Sequence, residues 1–417
     1  MADVLLLSPP APVWTKGVVA PPLGLGYIAS ILRNHGISVN VVDLFDRNFE
    51  ESAHVIRQNK PRVVGITCNT GIRHESLKLA AISKELFPET PVILGGPHAT
   101  ALPHQILANY FAVDIIVRNE GESTFLELVE TYFKEGFSPK ALKAINGISF
   151  RAPSSNAIVH TEDREFIKDL DALPFPAWDQ FQIGKYASYE DLDEATNRLR
   201  KAPLITSRGC PYNCAFCYGG FWGRKYRMRS PQNVVDEIEY LYDKFGVRYI
   251  RFFDDNFHVS KRRTMEICKE ILERGLDVLW RAEGRVDSAD MDVYAWMKRA
   301  GCHMIELGVE SGSQTILDNI NKGTTRGQIK DAFKIARKVG LETKAFIMIG
   351  NPGETETSIM ETVALLKEIN PTYVIHGLTW VMPNTKLYYD MLKSGKMDES
   401  IWLRKDVIFP VYTDEHS

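Results

Sequence analysis

Cysteine is scarce, with six in 417 residues, which is too few for a disulfide scaffold. Cys68, Cys268 and Cys302 stand singly in apolar company, where a free thiol is ordinarily a small core residue. No apolar run approaches the roughly 18–20 residues that cross a bilayer. The first ten residues have no cationic segment and too short an apolar run for a secretion signal. Gly does not follow Met1, which removes the myristoylation reading. Neither sign of charge prevails: 50 Lys and Arg against 53 Asp and Glu leave a net charge of −3. The chain therefore has no basic footprint for nucleic acid and no polybasic membrane patch. The expectation is a cytoplasmic protein with neither a nucleic-acid nor a membrane partner. What is abundant is apolar surface: 44% of residues are hydrophobic, far from the composition of a disordered chain. At about 150 residues per domain, the length suggests two or three domains.

The opening stretch alternates strand and helix. Val4–Leu7 is a short apolar run ended by Ser8-Pro9-Pro10. Leu25–His35 has helical spacing and is stopped by Gly36. Strands follow at Val39–Leu44, Val63–Thr67, Val92–Leu94 and Ile115–Arg118, with a helix at Glu75–Phe87 and another after Glu122. Such a series implies a parallel sheet covered on both faces, with ligands beyond the carboxyl ends of its strands. Between about Phe137 and Arg200 the pattern loosens. Ile145–Phe150 and Ala157–His160 read as a hairpin around Pro153-Ser154-Ser155-Asn156, and Leu173–Trp178, with two prolines, cannot continue a helix. A second series begins at Leu204–Ser207 and continues through Tyr249–Phe253, Val278–Glu283, Met304–Leu307, Thr343–Ile349 and Tyr373–Trp380. Six consecutive strand–helix units suggest a barrel or partial barrel with its chemistry at the carboxyl ends of the strands.

Cys210, Cys214 and Cys217 follow the first strand of this second series. Three thiolates within eight residues of one polar loop are suited to a single metal centre. Zinc would want a fourth Cys or His from a second nearby pair, and the nearest downstream His is His258. A cube of four irons held by three thiolates keeps one iron open for a substrate or cofactor.

C-x3-C-x2-C with Phe216 before the last cysteine, preceded by Thr206-Ser207-Arg208-Gly209 and followed by Tyr218-Gly219-Gly220, resembles the signature of the radical S-adenosylmethionine enzymes. The resemblance implies a partial (β/α)6 barrel, a 4Fe-4S cluster on the three cysteines, and S-adenosylmethionine on the open iron, cleaved to a 5′-deoxyadenosyl radical by an electron from an external donor of flavodoxin or ferredoxin type. Gly308–Gly312 resembles the family's Gly-x-Glu-Ser-Gly segment, which places Glu310 and Ser311 beside S-adenosylmethionine. By the same likeness Phe216 and Asp255 border it, the latter in Asp254-Asp255-Asn256 where the family has an acidic partner for the methionyl amine. Arg281, Glu283 and Arg285 surround the end of the third strand, where a guanidinium would hold the methionyl carboxylate; Arg281 and Glu283 are the assigned contacts. Phe346–Glu354 looks like the segment that flanks the adenine.

Asp-x-His-x-x-Gly, which supplies a histidine to cobalt in many cobalamin domains, is absent. The first domain instead resembles the cobalamin domain of a large radical S-adenosylmethionine subclass that also lacks it. The likeness rests on Pro21–Gly26, Val64–Thr67, Gly95–Thr100 and Glu120–Glu122. It implies cobalamin contacts at Leu25, Gly26, Thr67, Asn69, Gly95, Gly96, His98, Glu120, Gly121 and Glu122, with the lower face of cobalt near Cys68-Asn69-Thr70. Gly24-x-Gly26-x-x-Ala29 also matches a dinucleotide fingerprint, but the preceding strand ends at Leu7, too early for the tight turn that motif needs.

The expected α/β architecture is therefore an N-terminal doubly wound, Rossmann-like cobalamin domain (1–136), a connector (137–200), a radical S-adenosylmethionine partial barrel (201–385) and a short C-terminal extension (386–417). The resemblance implies a cobalamin-dependent methyltransferase acting on an unactivated carbon of a small-molecule or peptide substrate. A radical cyclase or rearrangement enzyme with the same cofactors is the alternative. A cobalamin-binding sensor without catalysis is a third reading, and the cysteine loop speaks against it.

Overall fold

The computed structural model describes residues 2–12, 20–152, 155–186, 196, 198–219 and 221–412. Pro153 and Ser154 of the expected turn, and Gly220 after the cysteine loop, lie outside them. The chain divides into two compact units, Met1–Asp193 and Glu194–Ser417.

The first unit is built on a seven-stranded sheet. Its strands are β1 (Val4–Ser8), β2 (Val39–Asp43), β3 (Val63–Thr67), β4 (Val92–Gly95), β5 (Ile115–Val117), β6 (Ile148–Arg151) and β7 (Ile158–His160), in the spatial order β2-β1-β3-β4-β5-β6-β7. The first five are parallel, and helices on the sheet's faces exclude water, so Val4, Leu5, Leu6 and Leu7 are fully buried. That is why these strands read as continuous apolar runs. Gly65 in β3 makes room for the Leu6 and Phe125 side chains, which a Cβ would meet at 2.7 and 2.9 Å. The order reverses at β1, which puts a topological switch point beyond the ends of β1 and β3. The hairpin expected in the connector is present and pairs antiparallel with β5, so it extends this sheet. A helix at Phe49–Asn59 has no counterpart in the sequence reading. It is announced by a capping box in which Asn48 accepts from Glu51 N, and Glu51 accepts from Asn48 N at 2.8 Å.

The second unit holds β8 (Lys201–Leu204), a two-stranded ribbon of β9 (Ser207–Arg208) with β10 (Arg227–Met228), and then β11 (Tyr249–Phe252), β12 (Leu279–Arg285), β13 (Cys302–Glu310), β14 (Glu342–Ile349) and β15 (Tyr373–Leu378). Six of these form one parallel sheet in the order β15-β14-β13-β12-β11-β8, and helices follow each of the first five. The expected strand at Leu204–Ser207 is a correction: β8 runs from Lys201 through Pro203 and stops at Leu204. Proline is tolerated there because β8 is an outer strand bonded to β11 alone. Helix ends are cut by local chemistry. Ser230 caps Pro231–Phe245 before Gly246 turns left-handed, and Thr325 caps Arg326–Val339 before Gly340 does the same.

Candidate functional site

The cysteine loop leaves β8 through a buried carboxylate. Asp254, at the end of β11, accepts hydrogen bonds from Thr206 N, Thr206 Oγ1 and Ser207 Oγ, each at 2.6 Å. β9 and β10 pin the base of the loop, and Gly209, at φ +85°, passes where a Cβ would meet Lys225 O at 2.5 Å. The far side is held by later parts of the unit. Ala215 N donates to Ile320 O (2.8 Å), Leu387 N donates to Ala215 O (2.9 Å) and Asn321 Nδ2 donates to Asn213 O (2.6 Å).

Cys210 and Cys214 are half-buried and Cys217 is exposed. The Cys217 thiol nonetheless sits in a hollow. Surrounding protein pushes its pKa up to about 12, the negative fields of Asp255, Cys214 and Cys210 add to this, and Lys322 opposes it. Cys210 is raised first by burial and then by Asp255 and Cys214. The three sulfurs thus lie in one another's fields. Among the described residues no three His, Cys, Asp or Glu side chains are grouped to hold a single metal ion. Thiolates that bind different irons of a cluster need not converge on one point, so this donor set suits a cluster better than zinc.

Two cations missing from the assigned contacts flank the loop. Arg285, 5% exposed, directs Nη1 at Cys214 Sγ (3.6 Å), forks onto Asp287 (3.0 and 3.0 Å), donates to Lys322 O (2.6 Å) and lies 3.6 Å over the Tyr212 ring. Lys322 is buried and donates to Glu310 Oε1 at 2.6 Å, with Nζ 5.9 Å from the Phe216 ring. Glu310 follows a register shift in β13 and sits at φ +63°, a strained backbone for a non-glycine residue. A Cβ on Gly308 would meet Glu310 Oε1 at 2.5 Å and Lys322 Nζ at 2.6 Å, so Gly308 leaves room for the ion pair.

Of the other expected contacts, Asp255 lies in the field of Cys210 and Cys217, and its carboxyl is raised to about 6 by burial and then by Asp254. Its neighbour Asn256 is fully buried, and neither side-chain polar atom has a hydrogen-bond partner. Such an orphaned amide beside two carboxylates fits a polar ligand such as S-adenosylmethionine. Ser311 is fully buried; its Oγ accepts from Ser313 N (3.2 Å) and lies 3.3 Å from Thr362 Oγ1. Arg281 is placed lower on the same face of β12, with Nη1 3.5 Å from Glu306. Glu306 also pairs with Lys344 (2.5 Å) and Arg251 (3.8 Å), and Arg251 reaches Glu283 at 3.2 Å. Arg281 and Glu283 therefore belong to one ion network, buried around Glu306 and reaching the surface at Glu283, and the guanidinium that reaches the cysteine loop is Arg285. In Phe346–Glu354, Glu354 accepts from Gly350 N at 2.5 Å and Asn351 N at 3.3 Å, which closes the turn after β14.

In the first unit the loops after β3, β4 and β5 are tied together at the carboxyl edge of the sheet. Cys68 N donates to Gly95 O, His98 N to Cys68 O, and Asn119 N to Thr100 Oγ1. Gly96, at φ +103°, lies where a Cβ would meet Cys68 O at 2.9 Å, whereas the Cβ side of Gly95 has no neighbour nearer than 3.8 Å. Gly96 thus lets the two loops meet, and Gly95 beside it is not crowded by other backbone. Thr67 ends β3, and its carbonyl accepts from Ser76 Oγ; Asn69 is exposed. His98 is buried with Nδ1 3.3 Å from Thr70 Oγ1, and burial pulls its pKa down to about 3, so it stays a neutral loop residue. Glu120 accepts from Ile167 N (2.7 Å), Glu122 is buried, Gly121 packs on Ile28, Leu25 is buried, and Gly26 abuts Pro176 and Phe181. Arg73, which the sequence reading passed over, is fully buried beside them and donates to Thr70 O at 3.0 Å.

Family models agree with both units: residues 13–129 match a B12 binding domain and residues 204–366 match the radical SAM superfamily. The uncharacterized methyltransferase PH0819 of Pyrococcus horikoshii is 33% identical over 99% of this chain and 88% of its own length. The chain belongs to the cobalamin-dependent radical S-adenosylmethionine enzymes. The cofactors of this family, a 4Fe-4S cluster, S-adenosylmethionine and cobalamin, are those that the donor sets above fit. The chain is also similar to the anaerobic magnesium-protoporphyrin IX monomethyl ester cyclase of Rubrivivax gelatinosus, at 31% identity over 89% of this chain, which spans 66% of that enzyme. Among solved structures, the radical S-adenosylmethionine methyltransferase TsrM of Kitasatospora setae shares the fold at TM-score 0.77 and 20% identity, over 94% of this chain and 76% of its own. No helix among the described residues is long and apolar enough to cross a membrane.

Proposed function

We propose that this enzyme is a methyltransferase that methylates an unactivated carbon of a small-molecule or peptide substrate. The observation that carries this reading is the cysteine loop, braced by Arg285 and the Glu310–Lys322 pair, in a chain that also carries a B12 domain. When bound, the cluster and S-adenosylmethionine supply radical chemistry, and cobalamin supplies a methyl carrier. The protein's part is to hold and orient. Cys210, Cys214 and Cys217 are the proposed cluster ligands. On this reading the Asp255 and Glu310 carboxylates hold the ammonium and ribose hydroxyls of S-adenosylmethionine, which the unpartnered Asn256 amide beside Asp255 supports. On the same reading Gly95, whose Cβ side meets nothing nearer than 3.8 Å, lets the first unit's backbone approach the corrinoid tail, while Gly96 lets its loop pack on Cys68. The electron comes from an external low-potential protein of flavodoxin or ferredoxin type.

The likeness to the cyclase favours a second reading with the same cofactors and no methyl transfer. Anaerobic purification with iron, sulfide and cobalamin quantified, then reduction with S-adenosylmethionine present, tests both. Methylation yields S-adenosylhomocysteine alongside 5′-deoxyadenosine; deoxyadenosine alone supports the cyclase reading. Replacement of Cys210, Cys214 or Cys217 by Ala is expected to abolish deoxyadenosine formation, and retained cleavage would remove the cluster from this loop.

A further inference from the structure

Arg285 is bound more tightly than a loop cation needs to be. Its guanidinium uses Nε and Nη2 on Asp287, Nη2 again on Lys322 O, and its flat face on Tyr212. Only Nη1 is directed at sulfur, at 3.6 Å from Cys214 Sγ. A planar fork fixed on its other edges cannot swing away from the thiolate.

The backbone beneath it is fixed as well. His258, fully buried, has Nε2 3.2 Å from Arg285 O, while Nδ1 has no hydrogen-bond partner. The proton is therefore assigned to Nε2, which donates to the carbonyl. The ring fills the place of a side chain on Gly284, where a Cβ would meet His258 Cε1 at 1.7 Å. The end of β12 is thus clamped from below by an imidazole and from above by Asp287, Tyr212 and the Lys322 carbonyl.

We propose that Arg285 is a positioning residue for Cys214 that sets the reduction potential of the cluster through a fixed N–H···S bond. This rests on the cluster assignment above. Hydrogen bonds to cluster sulfurs and local charge are among the main controls on such potentials. Reduction adds one electron, taken from a low-potential one-electron donor, and increases the negative charge on the thiolate-bound iron. An N–H dipole and a cation at Sγ favour that reduced state. Asp287 opposes the effect but lies on the far edge of the guanidinium, so the nearer positive end dominates.

The test is a redox titration of the reconstituted enzyme with dithionite, followed by electron paramagnetic resonance, with iron and sulfide measured on each sample. Arg285→Gln is expected to lower the potential by at least the equivalent of a tenfold change in the reduction equilibrium, 59 mV for one electron. Asp287→Asn, which removes the opposing charge while its amide oxygen still accepts from Nε, is expected to raise it. Opposite shifts separate electrostatic control from loosening of the loop, which would move both variants the same way. Two cluster-loaded variants at the wild-type potential, or shifted in the same direction, overturn the proposal. If Arg285→Gln does not fold, Asp287→Asn decides alone: a potential unchanged or lowered overturns it. A wild-type protein that takes up no iron and sulfide refutes the cluster assignment itself, which is a different failure.

Discussion

Glu306 offers the sharpest test of the sheet interior. Its carboxylate, fully buried in β13, is met by three cations: Lys344 at 2.5 Å, Arg281 at 3.5 Å and Arg251 at 3.8 Å. Arg281 and Lys344 are each about 1% exposed, so water cannot replace a lost partner. Glu306→Gln keeps the volume and part of the hydrogen bonding but removes the charge. At an effective dielectric near 20, a unit pair at 4 Å is worth about 4 kcal/mol, and breaking a buried pair from one side costs about 3–5 kcal/mol. For a unit the size of Glu194–Ser417, each kcal/mol moves the melting temperature by about 2–4 °C. The expected loss is therefore roughly 6–20 °C by calorimetry. Glu306→Gln combined with Lys344→Met is expected to lose less than the sum of the two single changes, because they share a partner. A single variant melting within about 2 °C of wild type would refute the argument and mean that water reaches these cations.

Three further outcomes follow from local geometry. Gly312→Ala places a Cβ 2.4 Å from Thr362 Cα and 2.6 Å from Glu361 O, backbone atoms that cannot rotate away; the helix Glu356–Ile369 must shift, at a cost of about 3 kcal/mol in denaturant unfolding. Gly24→Ala, in an exposed helical position with nothing within 4 Å of the new Cβ, is expected to stabilise by about 0.5–1 kcal/mol in the same assay. Asp43 is raised to about 6, chiefly by burial, despite hydrogen bonds from Ser8, Tyr186 and Phe45. Its neutral form is therefore favoured by folding, so its contribution is fully present below pH 3.8 and lost as pH rises through about 6. Asp43→Asn is expected to flatten stability between about pH 4 and 6 and to raise it at pH 7 by about 2 kcal/mol, less than full conversion of the shift because the group is only half-buried. Unchanged pH dependence in that variant would count against it.

The two sheets were legible because their strands are buried on both faces and appear as β-branched runs between helices. The cysteine loop was legible because three thiols in one polar segment have little other use. What escaped the sequence reading depended on partners distant along the chain. Glu306 and Lys344 sit inside apolar strands 38 residues apart, and only the register of β13 with β14 brings them together. Arg281 and Arg285 occupy the same face of one strand; their different fates depend on which row of the sheet meets Glu306 and which meets the loop. Lys322 lies in a turn after a short helix and gains meaning only through Glu310. The helix at Phe49–Asn59 was missed because it buries little beyond Ser52, Val55 and Ile56, although its Asn48–Glu51 cap was present to be read.

The many ties on residues 206–215 have a consequence for maturation. Small zinc domains are shaped by their metal and collapse when it is chelated. Here the loop is tied by Asp254, by the β9–β10 ribbon and by the carbonyls of Ile320 and Asn213. None of these ties runs through a metal, so removal of iron and sulfide is expected to erase the chromophore while leaving the helical content of the protein in place.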